Sequence, residues 1–198
     1  MKNELIHVNT NDQVVGYGEK ITTHKAGLLH RAFSLFIYSK SDKKFLIQKR
    51  SIEKYHSGGK WSNSCCSHPY RNETWYDSLQ RAASDELNLS LKINRSIQCK
   101  SNLQPQFIDD NLFYSGSFIY YSGFDNMLSE HELDYVFVYF IDSIISRINF
   151  NKSEVSDIKW LSAKEIKDLL DNSPADFSSW FINAFELVEK SLGNIGFS

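Results

Sequence analysis

The stretch of sequence that decides the fold is TWYDSLQRAASDEL, which occupies residues 74–87. Thr74 is the expected N-cap of a helix, with Asp77 in the place of the capping-box acid. The apolar residues recur at the spacing of an α-helix. The segment therefore predicts an amphipathic helix whose buried face carries Trp75, Leu79, Ala82, Ala83 and Leu87.

Glu86 belongs to the same, mostly buried face of this helix, because it follows Ala82 by four residues. Asp85, Arg81 and Ser78 are expected to point elsewhere. A carboxylate on a buried face needs a partner, since an unpaired buried charge is expensive. A metal ion is one such partner.

Strand and helix patterns surround this helix. Residues 33–38 and 45–49 predict a β-hairpin with a turn at 39–44. Residues 118–121 and 135–141 predict two further strands, the second of them central, and 91–116 shows no clear pattern. Residues 164–170 and 180–192 predict helices joined by a loop at 171–176. Strict βαβ alternation is missing, so we expect an α/β (α+β) fold with a mixed sheet between helices, in a single domain over residues 1–198.

Composition excludes several classes of function. The net charge of −2 gives no basic field for nucleic acid, and no apolar run reaches the length of a membrane helix. The first residues show no signal-peptide core. The three cysteines, Cys65, Cys66 and Cys99, are too few for a disulfide framework and fit a reducing cytosol. We therefore expect a cytoplasmic protein, and a monomer, without nucleic-acid or membrane partners.

Two short segments carry candidate chemistry in extended chain. Alternate residues of a strand share a face, so Glu130 and Glu132 are expected to lie together, with His131 pointing away. By the same rule, Cys66 and His68 share a face. Each group taken singly also fits a bland interpretation: a charged strand edge, a solvated side chain, or half of a zinc site.

His24 and His30 precede the first core strand and add two imidazoles to this set. Three imidazoles and two carboxylates suit Mn, Fe, Co or Zn better than Ca. Cys65 is interpreted as a small buried hydrophobe. Cys99, His7 and His56 carry no further signal.

Six segments, in order, resemble type I isopentenyl-diphosphate isomerases of the Nudix superfamily. They cover about residues 20 to 181 and read LHRAFS (29–34), QKRS (48–51), KWSNSCCSHP (60–69), DEL (85–87), SEHELDY (129–135) and FSSWF (177–181). A lone Cys-x-His-Pro would be weak evidence, but this ordered set is specific.

The resemblance implies isomerisation of isopentenyl diphosphate to dimethylallyl diphosphate on a Nudix fold. It implies a Mg2+ that bridges to the diphosphate, and a second site for Mn2+ or Mg2+, with Zn2+ as a third option. By position it implies these roles: metal ligands His24, His30, His68, Glu130 and Glu132; Glu86 on the bridging Mg2+; proton-transfer residues Cys66 and Glu132, supported by Tyr120; Trp180 facing the substrate carbons; and Lys20, Arg50 and Lys54 on the diphosphate.

These residue types suit the chemistry. Protonation of the alkene makes a tertiary carbocation that a nucleophile would trap, whereas the face of an indole such as Trp180 stabilises positive charge without forming a bond. A closed aromatic pocket also excludes water. Lysine, arginine and Mg2+ are the usual partners of a diphosphate.

The chain departs from the family at two positions: Ala82 stands where a second arginine is common, which predicts weaker phosphate affinity, and Asn88 replaces a glycine. The alternative is a Nudix nucleoside diphosphate hydrolase, whose motif falls on Ser67, Glu73, Arg81, Ala82, Asp85, Glu86 and Asn88. The arginine–glutamate step and both glycines of that motif are gone. A non-catalytic binding protein is the third hypothesis, which the presence of Cys66 and Glu132 disfavours.

Overall fold

The structure is a computed structural model that describes residues 3–54, 56–124 and 127–196. The predicted domain covers residues 1–198, and the prediction about a signal peptide concerns the first residues. Residues 1–2, 55, 125–126 and 197–198 lie outside the described residues. In chain order the elements are β1 (Leu5–Val8), β2 (Val14–Gly18), α1 (Lys20–Ala26), β3 (His30–Ser39), β4 (Lys44–Arg50), β5 (Trp61–Ser62), β6 (Cys65–Ser67), α2 (Trp75–Leu87), β7 (Gln106–Asp109), β8 (Leu112–Gly123), β9 (Ser129–Ile141), β10 (Val155–Leu161), α3 (Ala163–Asn172), a 3₁₀ turn (Pro174–Asp176) and α4 (Phe181–Asn194).

The strands form one mixed sheet in the order β10-β4-β3-β9-β8-β7. The pair β3–β9 is parallel, and its neighbours along this path are antiparallel. The strand predicted over 135–141 is the second half of β9, which lies at the centre of the sheet, as expected. The short strands β1, β2, β5 and β6 branch from this path.

Side-chain alternation on β3 explains why helices cover both faces of the sheet. Phe33, Leu35 and Ile37 belong to one core cluster, which includes residues of α2. Phe36 and Tyr38 point the other way, into a second cluster with residues of α3 and α4. Each large apolar side chain that is buried contributes about 1.5–3 kcal/mol. The predicted mixed sheet between helices is confirmed.

The helix predicted over residues 74–87 is α2, and its capping box is confirmed: Thr74 accepts from the Asp77 backbone, and the Asp77 carboxylate accepts from the backbone of Thr74. Asn88 ends the helix in the left-handed conformation, with φ of 52°. Glu86 is buried, as expected. The prediction for Ser78 was wrong: it is fully buried, and its one hydroxyl proton is shared between Glu73 Oε2 and the carbonyl of Thr74, each 3.0 Å away.

The predicted helices over 164–170 and 180–192 correspond to α3 and α4, and the predicted hairpin to β3 and β4. The loop over 171–176 was predicted wrongly in part, since α3 continues through Asn172 and a 3₁₀ turn follows it. The unassigned stretch 91–116 contains β7 and the beginning of β8. In the ranges that the structure describes, every helix is too short or too polar to cross a membrane.

Candidate active site

The site begins where β3 and β4 separate. The two strands pair directly only from Ile37↔Leu46 to the hairpin turn. Beyond this point β6 pairs with β3, and β5 pairs with β4. The Ser64 hydroxyl joins the separating strands, because it accepts from the backbone of Ile37 at 2.7 Å and donates to the carbonyl of Leu46 at 2.6 Å. The segment between β5 and β6 therefore lies between the separated ends of β3 and β4 and is bonded to both strands through Ser64.

A cavity of about 200 Å³ adjoins this segment. It is lined by many of the residues selected from the sequence: Lys20, Arg50, Lys54, Cys66, His68, Glu86, Glu130, Glu132 and Trp180. The other three selected residues, His24, His30 and Tyr120, are buried: His30 and Tyr120 contact the carboxylates that line the cavity, and a ring nitrogen of His24 lies within 4.8 Å of them. The structure thus brings the predicted residues into one region.

Three histidines surround Glu132. The ring centroids of His24, His30 and His68 lie 4.9–5.4 Å apart. His68 Nε2 is 2.8 Å from Glu132 Oε1, and His30 Nε2 is 3.5 Å from the same oxygen. One nitrogen or oxygen from each of these four residues lies within 4.8 Å of the others, and all four are buried.

The chemistry of these donors fits a divalent ion. His30 Nδ1 lies 2.8 Å from the carbonyl of Leu28 and must donate its proton there, so Nε2 faces the cluster. Burial lowers the pKa of His24 to about 4 and that of His68 to about 3. Both imidazoles are therefore neutral near pH 7, which is the form that binds metals.

Glu130 lies beside this group and is buried by different partners. His56 Nε2 is 2.7 Å from Glu130 Oε1. The Tyr120 hydroxyl is 2.5 Å from Glu130 Oε2 and 2.6 Å from Glu132 Oε2, so its one proton is shared between two carboxylates. His24, His56 and Glu130 form a second group of potential metal ligands. His131 points away, as predicted, and contacts the carbonyl of Gly27.

Cys66 reaches the cavity from β6, where it pairs with Ser34 of β3. Burial raises the pKa of its thiol to about 12, although the nearby Arg50 acts in the opposite direction. Arg50 Nη1 lies 3.2 Å from the Cys66 sulfur. The neighbouring Cys65 is fully buried in the core, as expected.

Trp180 closes one side of the cavity from the start of α4 and is 3% exposed. Its ring centroid lies 6.0 Å from His56, 6.2 Å from Tyr120 and 5.4 Å from the guanidinium carbon of Arg50. Its Nε1 donates to Asn63 Oδ1 at 3.0 Å. The indole is therefore held among charged and aromatic groups, with its one polar atom paired.

The cationic side of the cavity holds Lys20, Arg50 and Lys54. Lys54 forms an ion pair with Glu154. Glu86 lies on the same side, where it accepts from Gln48 Nε2 at 2.6 Å. Burial raises the pKa of Glu86 to about 7.

Several residues of the site were not predicted from the sequence. Asp134 follows Glu130 and Glu132 at the same two-residue interval, is buried, and accepts from Ser34 at 2.8 Å, so the alternation alone could have found it. His56 and Glu154 lie in loops and carry no periodic signal.

Known proteins with similar sequences show the family of this chain. A NUDIX domain family model matches residues 28–181. Isopentenyl-diphosphate Delta-isomerase of Aliivibrio fischeri strain MJ11 is 39% identical over 190 residues, which are 95% of this chain and 96% of the relative. Isopentenyl-diphosphate Delta-isomerase 2 of Aromatoleum aromaticum is 32% identical over 95% of this chain and 87% of its own. The chain belongs to the isopentenyl-diphosphate Delta-isomerase family.

Solved structures agree with this family at the level of the fold. The crystal structure of DR0079 from Deinococcus radiodurans superposes with a TM-score of 0.63 and 21% identity, over 94% of this chain and 98% of the other. The MutT protein of Methanosarcina mazei Go1 gives a TM-score of 0.56 at 13% identity, over 82% and 94%. The isopentenyl-diphosphate Delta-isomerase family implies dependence on a divalent metal, and the histidine–glutamate cluster fits this requirement.

Proposed function

We propose that this protein isomerises isopentenyl diphosphate to dimethylallyl diphosphate. The observation that carries the proposal is one cavity lined by Cys66, Glu132 and Trp180. The cationic side chains of Lys20, Arg50 and Lys54 belong to the same lining. Cys66 comes from β6 and Glu132 from β9, which pair with opposite edges of β3. Two proton-transfer groups therefore enter the cavity from different strands.

The isomerisation adds one proton and removes another. A proton is added to the terminal carbon of the double bond, which leaves a tertiary cation at C3, and a proton then leaves C2 to form the new double bond. Cys66 and Glu132 are the donor and the acceptor of these protons. Tyr120 keeps its hydroxyl against the Glu132 carboxylate and stabilises its charge.

Trp180 stabilises the cation. The negative face of an indole attracts positive charge and offers no lone pair that would attack it. Because Trp180 is almost fully buried, it also keeps water away from C3. Hydrolysis of a diphosphate has no use for an indole in this position.

The diphosphate is bound by Lys20, Arg50 and Lys54. Lys54 is paired with Glu154 in the structure, so it exchanges or shares this partner when the substrate binds. Glu86 would help to hold a Mg2+ ion, which would neutralise part of the diphosphate charge. Because its pKa is about 7, a nearby cation readily shifts Glu86 from the carboxylic acid to the carboxylate.

A second ion would be held by His24, His30, His68, Glu130 and Glu132. We propose Mn2+ or Mg2+ for this site, with Zn2+ as a third option. An ion bound there would supply a positive charge, and the Glu132 carboxylate beside it would be held in one direction with its proton affinity tuned by that charge. We propose that the chain forms a single domain and acts as a monomer in the cytoplasm. Its partner is a small isoprenoid diphosphate, without nucleic-acid or membrane partners.

The arrangement disfavours the Nudix hydrolase alternative. That activity needs a dense set of carboxylates to hold metal ions and position water. Here Glu73 is bound to Arg81 at 2.7 Å, Asp85 is exposed, and Ala82 contributes no ligand. Glu86 is left as the buried carboxylate of the motif.

The experiment is 31P and 1H NMR of isopentenyl diphosphate incubated with the protein and Mg2+. We expect dimethylallyl diphosphate with an intact diphosphate from the wild type, and none from Cys66→Ala or Glu132→Gln. Cys65→Ala is the matched control, since Cys65 faces the core and not the cavity. Release of inorganic phosphate instead of the isomer would contradict the proposal in favour of hydrolysis.

A further inference from the structure

A single buried amide connects two residues of the proposed reaction. Asn63 lies between β5 and β6 and has no exposed surface. Its Oδ1 accepts from Trp180 Nε1 at 3.0 Å, and its Nδ2 donates to the carbonyl of Cys65, one peptide before Cys66. The same amide therefore contacts the indole and the backbone that carries the thiol.

The orientation of this amide is fixed by its surroundings. Nδ2 faces two carbonyl oxygens, those of Cys65 and Leu35, which can only accept. Oδ1 faces two donors, the indole N–H and the hydroxyl of Ser62. A flipped amide would place donors against the indole N–H and an oxygen against the carbonyls, so one orientation satisfies every contact.

The contacts continue to the segment that holds Trp180. Ser62 Oγ lies 3.0 Å from Ser178 Oγ, and the backbone N–H of Ser178 donates to the carbonyl of Trp61 at 2.9 Å. The segment that leads into α4 is thus attached to β5 by backbone and hydroxyl contacts. Asn63 adds the contact that fixes the ring of Trp180 itself.

We propose that Asn63 is a positioning residue that fixes the indole of Trp180 relative to Cys66, and that it thereby excludes water from the cation. The inference rests on the proposed isomerase function. Without Asn63 the buried indole N–H loses its acceptor, and the net contribution of one such hydrogen bond is about threefold to tenfold in an equilibrium constant. The ring then turns toward another acceptor and leaves C3 open to water.

The predicted consequence is a specific by-product. The oxygen of a water molecule forms a bond to C3 of the cation, and the water loses one proton to solvent. The product is 3-hydroxy-3-methylbutyl diphosphate, which is isopentenyl diphosphate plus one water. The ratio of this alcohol to dimethylallyl diphosphate does not depend on how much of a variant is folded.

The test compares Asn63→Ala with Ser62→Ala, which removes the other donor to the same oxygen and the hydroxyl contact with Ser178, and leaves the indole contact and the backbone contact of Ser178 in place. We expect Asn63→Ala to lower kcat about threefold to tenfold and to form the alcohol, and Ser62→Ala to do neither. In a Trp180→Phe background, which has no indole N–H, Asn63→Ala should change kcat less than about twofold. Equal effects of Asn63→Ala in both backgrounds would overturn the inference.

A second readout needs no activity. The chain has 4 tryptophans, and Trp180→Phe identifies the indole N–H resonance of Trp180 in a 15N-labelled sample. We expect this resonance to shift in Asn63→Ala and to stay in Ser62→Ala, while the other indole resonances report on folding. Asn63→Ser, whose hydroxyl is too short to reach the indole, replaces the alanine variant if that variant does not fold. A wild type without isomerase activity would overturn the proposed function, whereas an unmoved Trp180 resonance in a folded Asn63 variant would overturn this inference.

Discussion

Replacing Glu86 by glutamine is expected to stabilise the metal-free protein at alkaline pH. Burial raises the pKa of Glu86 from 4.5 to about 7, so the folded protein holds this proton more tightly than the unfolded chain does. The stability that the proton brings is fully present below about pH 4.5 and is lost as the pH rises through about 7. The shift corresponds to about 3 kcal/mol, the upper limit of the gain from a neutral side chain.

Urea denaturation after removal of metals by EDTA measures this effect. We expect Glu86→Gln to exceed the wild type by about 2–3 kcal/mol in free energy of unfolding at pH 8, and to match it closely at pH 4.5. The glutamine can still accept the hydrogen bond from Gln48. The exposed Glu186→Gln is the control for removal of one negative charge, and it should change stability little at either pH.

Two results would refute this reasoning. One is a Glu86→Gln variant that is no more stable than the wild type at pH 8. The other is an equal gain at both pH values, which would locate the effect in packing and not in the proton.

Bound ligand should shift the difference in stability toward the wild type. Addition of Mg2+ with inorganic diphosphate should stabilise the wild type more than Glu86→Gln, since the carboxylate is the proposed partner of that ion.

Three further predictions concern other contacts. Tyr120→Phe should lower kcat about tenfold or more in a steady-state assay, because two carboxylates lose their shared donor; an unchanged kcat would contradict its supporting role. Asp12→Ala should reduce the free energy of unfolding by about 2–3 kcal/mol in urea, because Arg31 and the buried hydroxyl of Tyr135 lose the same carboxylate; a loss below about 0.5 kcal/mol would count against this contact. His68→Ala should weaken binding of Mn2+ or Zn2+ more than about tenfold by isothermal titration calorimetry, whereas His131→Ala on the outer face of the same sheet should not; equal affinity in both variants would exclude His68 as a ligand.

The fold was largely predictable because it depends on periodic signals. The alternating apolar residues of β3 fill cores on both faces of the sheet, and Thr74 and Asp77 mark the start of α2 as their sequence predicts. The segment containing β7 gave no such signal. That strand has four residues at the edge of the sheet, with Gln106 and Phe107 exposed, so no core selects its pattern.

The candidate site was predictable where its residues share a strand face or a motif. Glu130 and Glu132 follow the two-residue period of β9, as expected, and both are buried. His56 comes from an irregular loop, and its contact with Glu130 exists only because the chain folds back across the cavity. The contact between Asn63 and Trp180 was equally unpredictable, since the two residues lie 117 positions apart. Such contacts depend on tertiary structure and leave no local pattern.

The central claim is that Cys66 and Glu132 exchange protons with the substrate through a cation. The most direct measurement is 1H and 2H NMR of isopentenyl diphosphate incubated with the protein and Mg2+ in D2O. Because a thiol and a carboxylic acid exchange with solvent, we predict dimethylallyl diphosphate with deuterium in a methyl group from the wild type, and no such product from Cys66→Ala. Dimethylallyl diphosphate without deuterium, or equal conversion by Cys66→Ala, would contradict the account.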